Sequence, residues 1–245
     1  MINKKKTGLK IIFTIIAMIL VLTGAFLIYV SDYYHTDEIV LEAANISDNI
    51  EISNTNDGLV FDPGDADSAL IFYPGGKVEF TAYEPLMIKL AQKGILCILP
   101  KMPFNLAVFD INVADTYFSS YSEIEHWYIG GHSLGGSMAA SYASKNIEKL
   151  DGLILLASYS TSDLSSSSIK VLSIYGSSDG VLNRENYEKN KNNLPKGFIE
   201  VVLDGGNHAG FGCYGAQDGD GVASIVNDEQ QSETADAIAE IVFSK

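Results

Sequence analysis

The chain has 245 residues, of which 47% are hydrophobic. This length suits one domain with a sizeable core and is too short for two domains of ordinary size. Its formal net charge is −15, and once the four lysines before residue 11 are set aside, 12 basic residues remain against 31 acidic ones. Such a surface repels polyanions, so nucleic acid is excluded as a partner. Cys97 lies in an apolar run that predicts a buried thiol, pairing with Cys213 stays open, and no spacing predicts a metal site.

Residues 11–30 are almost all apolar and predict a transmembrane helix, because twenty residues at about 1.5 Å rise span the roughly 30 Å hydrocarbon core. The lysines precede this run and acidic residues follow it, so the positive-inside bias predicts a cytoplasmic segment at 1–10 and an extracytoplasmic remainder. A cleaved signal peptide is the alternative, but it usually has a shorter apolar core and a small-residue cleavage site, which residues 29–33 do not offer. We therefore expect an uncleaved signal anchor, with the protein in the cell membrane as a single-pass chain.

Residues 31–57 are polar and acidic and predict a stalk followed by an antiparallel lead-in of short strands. From residue 58 onward, apolar strand runs alternate with helical patterns, which is typical of a mostly parallel sheet with helices on both faces. The predicted strands of this domain, 58–245, are Ala69–Tyr73, Ile95–Leu99, His126–Ile129, Leu153–Ala157, Val171–Tyr175 and Phe198–Leu203. The predicted helices are Tyr83–Lys93, Val108–Ser119 and Glu229–Phe243.

Residues 131–135, Gly-His-Ser-Leu-Gly, fit the G-x-S-x-G pattern of a nucleophile elbow. A strand signal precedes the motif and an alanine-rich helix signal follows it, which is the context that the motif needs. A strand, a sharp turn and a helix in this order hold a serine hydroxyl at the carboxyl edge of a sheet. Ser133 is therefore the predicted nucleophile.

A serine nucleophile needs a histidine base, and four histidines are available. His35 lies in the stalk, His126 opens the strand that leads to the elbow, and His132 is the variable residue of the motif itself. His208 follows the last strand in a glycine-rich loop, at the edge where ligand chemistry gathers in parallel sheets. We predict that His208 is the base.

The acid of such a triad lies between serine and histidine in chain order. Asp179 follows the penultimate strand at its carboxyl end, which is the expected position. Asp151 precedes a strand and so falls at the opposite edge, while Asp163 lies in a serine-rich loop and would serve only if the acid had moved. The predicted triad is Ser133, Asp179 and His208.

Two backbone N–H groups are expected to bind the oxyanion. Leu134, directly after the nucleophile, supplies one, and the loop Pro74–Lys77 supplies the other through either Gly76 or Lys77. The pocket is predicted to include Gly75, Phe104, Asn105 and Phe211. Residues 217–221 look like a calcium loop, but Val222 breaks the spacing, so we expect this segment to shape the site without a metal.

The chain resembles the α/β-hydrolases, and more narrowly the small group related to dienelactone hydrolases. The stretches that carry the resemblance are Phe72–Val78, Met102–Phe109 and Gly205–Gly212, together with the elbow. The resemblance implies a serine hydrolase mechanism without a cofactor. Two departures qualify it, since the chain lacks the His-Gly-Gly-Gly loop of lipases and has serine where dienelactone hydrolases have cysteine.

These features predict a membrane-anchored, extracytoplasmic serine hydrolase that cleaves a carboxylic ester of a small-molecule acyl substrate, with a monomeric ectodomain. Only about residues 158–168 separate two strands where related enzymes insert a lid, so no lid domain is expected and small or protruding acyl groups are favoured. Two alternatives stay open: an acyltransferase acting on cell-envelope components with the same residues, and a non-catalytic binding module on the same fold.

Overall fold

The computed structural model describes residues 2–37, 50–55 and 57–244, and the chain divides into two compact units, Met1–Tyr33 and Tyr34–Lys245. In the first unit, Ile2–Ser31 forms helix α1. Its stretch Gly8–Ser31 contains 18 consecutive residues with a mean hydropathy of 2.9 and is long and apolar enough to cross a membrane, a property that signal sequences share.

The second unit is built on one eight-stranded sheet. Its strands are β1 Glu51–Thr55, β2 Gly58–Asp62, β3 Ser68–Tyr73, β4 Leu96–Pro100, β5 His126–His132, β6 Gly152–Leu156, β7 Lys170–Gly176 and β8 Ile199–Leu203. They lie in the order β1-β2-β4-β3-β5-β6-β7-β8. The β1–β2 and β2–β4 pairs are antiparallel, and every other pair is parallel. All residues of β3, β4 and β6 are buried, because helices or loops cover both faces of these central strands.

Helices cover both faces of the sheet, and an apolar core lies on each side. The α-helices of this unit are α2 Glu84–Ala91, α3 Leu134–Ala143, α4 Arg184–Asn190 and α5 Asn227–Phe243. One core contains Leu86 of α2 and Ile238 of α5, and the other contains Ala139 of α3. The protein therefore has the predicted α/β fold, with a mostly parallel sheet between helical layers.

The predicted helix Val108–Ser119 is wrong, since this segment forms only the single 3₁₀ turns Ala107–Phe109 and Val113–Thr116. The buried hydroxyl of Tyr73 donates to the carbonyl of Ile111 at 2.7 Å and accepts from the N–H of Ala114 at 3.3 Å. These backbone groups thus bond to a side chain of β3 instead of to each other along a helix.

Two segments outside the strands concern the expected lack of a lid domain and the predicted stalk. Residues 157–169, between β6 and β7, contain no helix or strand and so leave no room for a lid domain. The second unit begins at Tyr34, whose N–H donates to the carbonyl of Lys77 at 2.8 Å, so part of the predicted stalk joins the sheet domain. Residues 38–49 of that stalk lie outside the described residues.

Candidate active site

Ser133 lies in the turn between β5 and α3 with φ +52° and ψ −120°. Residues other than glycine rarely take a positive φ, and such strain persists only where surrounding contacts hold it. Here the Ser133 N–H donates to the carbonyl of Leu156 at 2.9 Å, and its carbonyl accepts from the hydroxyl of Ser158 at 2.7 Å. The neighbouring strand β6 and the loop after it therefore fix the strained backbone from both sides.

The two glycines of the motif allow α3 to start directly above the end of β3. A Cβ on Gly131 would lie 2.5 Å from the carbonyl oxygen of Tyr73, and one on Gly135 would overlap the carbonyl oxygens of Tyr73 and Pro74. Side chains at these positions would push the helix away from the strand, and the serine would move with it. The G-x-S-x-G spacing thus has a steric reason in this fold.

Asp179 and His208 are in contact and buried together. The Nδ1 atom of His208 lies 2.9 Å from the Oδ2 atom of Asp179, with side-chain exposures of 1% and 0%. The other carboxylate oxygen of Asp179 accepts the N–H groups of Val181 at 2.9 Å and Leu182 at 2.8 Å. Burial alone would raise the pKa of Asp179, but the hydrogen bond and charge of His208 and these two N–H groups outweigh it and hold the pKa below its ordinary value.

The tautomer of His208 follows from these contacts. A carboxylate only accepts hydrogen bonds, so Nδ1 carries the proton and Nε2 presents a lone pair. The Nε2 atom is buried and has no hydrogen-bond partner among the described residues. It is the nitrogen that can accept a proton from a reacting hydroxyl.

The loops that carry these side chains meet at one edge of the sheet. Ser133 follows β5, Asp179 follows β7 and His208 follows β8, all at the carboxyl ends of parallel strands. The ring of His208 packs against His132, the residue before Ser133, with 4.5 Å between ring centroids. The predicted base thus lies beside the elbow although 75 residues separate the two in the chain.

The loop after β3, which is predicted to bind the oxyanion, lies against the start of α3. A Cβ on Gly76 would stand 2.8 Å from the Cδ2 atom and 3.2 Å from the Cβ atom of Leu134, so a side chain there would require Leu134 to shift. Leu134 is the first residue of α3, where backbone N–H groups have no partner within the helix. The N–H of Lys77 already donates to the carbonyl of Asn105 at 2.8 Å, which favours Gly76 over Lys77 as the second donor.

A buried network that the sequence did not indicate links this loop to the histidines. The hydroxyl of Tyr83 accepts the N–H of Gly75 at 3.0 Å, so its proton is available to Nδ1 of His132 at 2.8 Å. Burial, with the nearby His208, lowers the pKa of His132 well below its ordinary value, so this ring stays neutral. Nothing local could have revealed Tyr83, because it lies 49 residues from His132 in the chain.

The predicted pocket residues divide into two groups. Phe104 is 49% exposed and Asn105 is partly exposed, beside the Lys77 backbone. Gly75 is buried against Tyr83, and Phe211 is fully buried with its ring 5.6 Å from the ring of His132. The latter two therefore support the site from behind and present no open surface to a ligand.

The other chemistry-bearing groups are also placed. Cys97 and Cys213 are both buried and free, so the two thiols do not pair. No cluster of three or more histidine, cysteine, aspartate or glutamate side chains suited to a metal occurs within residues 2–37, 50–55 and 57–244.

Comparison with known proteins shows the family to which the chain belongs. A model of the alpha/beta hydrolase family matches residues 69–232, and the chain belongs to that family. Among proteins with curated descriptions, none matches the sequence.

Two solved structures illustrate the likeness of fold. A dienelactone hydrolase from Anabaena variabilis superposes with a TM-score of 0.59 at 14% identity, covering 78% of this chain and 96% of its own. A thermostable esterase from Pseudomonas putida also gives 0.59, at 15% identity, covering 84% of this chain and 89% of its own. At these identities the likeness establishes the fold alone.

Proposed function

We propose that this hydrolase is a membrane-anchored serine esterase that cleaves a carboxylic ester through Ser133, His208 and Asp179. The observation that carries the proposal is the buried His208–Asp179 pair. The ring of His208 packs against His132 of the strained serine elbow, and its Nε2 atom has no hydrogen-bond partner among the described residues. The solved relatives support the reaction class, since their names include a dienelactone hydrolase and an esterase.

In the first half of the reaction, the Ser133 hydroxyl transfers its proton to Nε2 of His208 while its oxygen bonds to the ester carbonyl carbon. The negative charge that develops on the carbonyl oxygen is stabilised by the N–H groups of Leu134 and Gly76 and by the positive end of helix α3. Asp179 holds the imidazole in the required tautomer and stabilises the imidazolium. The tetrahedral intermediate then collapses: its bond to the leaving oxygen breaks, the imidazolium protonates that oxygen, the alcohol leaves, and the acyl-serine remains.

In the second half, water attacks the acyl-serine while His208 accepts one of its protons. The tetrahedral intermediate collapses, the proton returns from His208 to the serine oxygen, and a carboxylic acid leaves. The chain ends this cycle in its starting state, and every proton moves through His208.

Helix α1 and its flanking charges support the cellular placement. The segment Gly8–Ser31 is long enough to span a bilayer; Lys4, Lys5 and Lys6 precede it, and Lys10 lies in its first turn. A cytoplasmic N-terminus puts the hydrolase unit on the outer side. The absence of a lid in residues 157–169 favours small or protruding acyl groups, which a series of p-nitrophenyl esters of increasing chain length would measure.

Labelling by a fluorophosphonate probe tests the nucleophile in the full-length protein in detergent. We expect the wild type to be labelled and Ser133→Ala to lose both labelling and p-nitrophenyl acetate hydrolysis, the latter by at least about 10³-fold. Ser141→Ala, on the same helix, is the matched control and should retain both. Labelling that persists in Ser133→Ala would refute the proposal.

A further inference from the structure

Asp220 lies on a third loop at this edge of the sheet and binds the two loops that carry Asp179 and His208. Its Oδ1 atom accepts the N–H of Gly180 at 3.0 Å and the N–H of His208 at 3.2 Å. Its Oδ2 atom accepts the N–H of Ala209 at 2.8 Å. One carboxylate thus contacts the residue after the acid, the base itself and the residue after the base.

The backbones of the three loops approach each other closely around this carboxylate. A Cβ on Gly180 would lie 2.6 Å from the carbonyl oxygen of Gly219, and one on Gly221 would overlap the carbonyl of Ser178. Asn207 closes the same junction, because its side-chain amide donates to the carbonyl of Gly221 at 2.8 Å. The loops fit together only with glycine at these two positions.

Another contact joins the acid and base loops nearer the sheet. The N–H of Ser178 donates to the carbonyl of Gly206 at 2.8 Å, between the ends of β7 and β8. This bond fixes the loops before Asp179 and His208, whereas Asp220 binds them at and after those residues. The separation between Nδ1 of His208 and the carboxylate of Asp179 is therefore held from both sides.

We infer that Asp220 is a positioning residue that holds the Asp179 loop and the His208 loop at the separation that the triad requires; this inference rests on the proposed function. A carboxylate suits the role because its two oxygens offer about four acceptor sites, and the N–H of Gly221 at 2.8 Å takes another of them. Asparagine has one acceptor oxygen, and its NH₂ group would face at least one of the same N–H donors. Asp220→Asn therefore keeps the size of the side chain and breaks the bridge.

The test compares Asp220→Asn with Asp218→Asn in the full-length protein. Asp218 is the matched control because it is exposed on the same loop and carries the same charge, and its carboxylate accepts no hydrogen bond among the described residues. Fluorophosphonate titration counts active sites in each preparation, and kcat per titrated site is then measured below the unfolding temperature. We expect Asp220→Asn to lower kcat per site by about 10- to 100-fold with KM changed less than about twofold, since misplacement near 1 Å costs up to roughly 10².

A residue that only stabilised the fold would lower the Tm and the number of titrated sites but leave kcat per site unchanged. That result for Asp220→Asn would overturn the inference while leaving the serine mechanism intact. If Asp220→Asn does not fold, Asp220→Glu retains the charge and both oxygens but moves them by one methylene; it should also lower kcat per site, and wild-type kcat would overturn the inference. A wild type without Ser133-dependent labelling would instead overturn the proposed function, and this inference with it.

Discussion

One histidine–aspartate pair lies at the carboxyl ends of the parallel strands and another lies at their amino ends. The two pairs differ far more in burial than in contact distance. At the carboxyl edge, His208 and Asp179 are 2.9 Å apart with side-chain exposures of 1% and 0%. At the opposite edge, Nδ1 of His126 lies 3.2 Å from Asp151, with exposures of 51% and 41%. Water competes for the exposed pair and screens its charges, whereas the buried pair keeps one geometry and interacts strongly.

A cavity of about 340 Å³ lies beside the exposed pair, so a cavity lined by histidine and aspartate does not by itself define an active site. His126 opens β5 and Asp151 precedes β6, so both stand at the amino ends of parallel strands. The strained serine and the start of α3 lie at the other end of β5. In the proposed function, catalysis needs a nucleophile, an oriented base and N–H donors together, and the comparison tests whether the carboxyl edge supplies them.

Replacing each histidine tests the comparison most strongly. His208→Asn removes the proposed general base and should lower kcat by up to about 10⁶-fold, because loss of one member of a catalytic triad disables the whole unit. His126→Asn removes only a solvent-exposed pair and should leave kcat within about twofold. Hydrolysis of p-nitrophenyl acetate measures both, and a comparable loss in the two variants would contradict the difference drawn between the pairs.

Replacing the aspartate of each pair should also change kcat very differently, although by less than replacing the histidines. Asp179→Asn should lower kcat by roughly 10⁴-fold, because an amide at this position favours the wrong tautomer of His208. Asp151 also accepts the N–H of Trp127 at 3.0 Å, and asparagine keeps an oxygen for this bond, so Asp151→Asn should change stability by at most about 1 kcal/mol and leave kcat unchanged. Urea unfolding beside the kinetic assay separates the two effects; a large loss of kcat in Asp151→Asn would count against the comparison.

Much of the fold could be predicted because the buried strands are apolar runs of ordinary length. All six predicted strands from Ala69 onward correspond to β3–β8, and the family resemblance stated from the elbow and loop motifs is confirmed by the family match. The failed helix at 108–119 has a tertiary cause, since the Tyr73 hydroxyl that binds its backbone belongs to a strand some 35 residues earlier. Periodicity cannot register such a contact.

The residues of the candidate site also divide into those that the sequence predicts and those that it does not. Ser133, Asp179 and His208 could be proposed because each follows a strand at its carboxyl end, so topology alone brings their loops to one edge. Tyr83 and Asp220 could not be assigned, because their contacts depend on how separate loops approach one another. The preference for Gly76 over Lys77 as the second oxyanion donor also depends on the structure, in which the carbonyl of Asn105 accepts the N–H of Lys77.

The buried Asp179 should also make stability depend on pH, which gives a further test of the buried pair. The pKa of Asp179 is lowered on folding, so its ionised form contributes stability that is fully present above the unfolded pKa of about 3.9. That contribution is lost as the pH falls through the lower, folded pKa. The Tm difference between wild type and Asp179→Asn should therefore not narrow between pH 7 and about pH 5, and it should narrow only in stronger acid.

His132 adds a second effect on stability, at higher pH than the effect of Asp179. Burial, followed by the nearby charge of His208, lowers the pKa of His132, so the unfolded chain binds a proton below about pH 6.5 that the folded protein does not. Both proteins should lose stability as the pH falls below this value, and because both contain His132 the loss cancels in their Tm difference. Thermal unfolding of the two proteins from pH 8 to pH 3 checks this directly. A difference that already narrows between pH 7 and pH 5 would mean that the Asp179 carboxyl takes up its proton at higher pH in the folded protein, and that His208 does not hold it ionised.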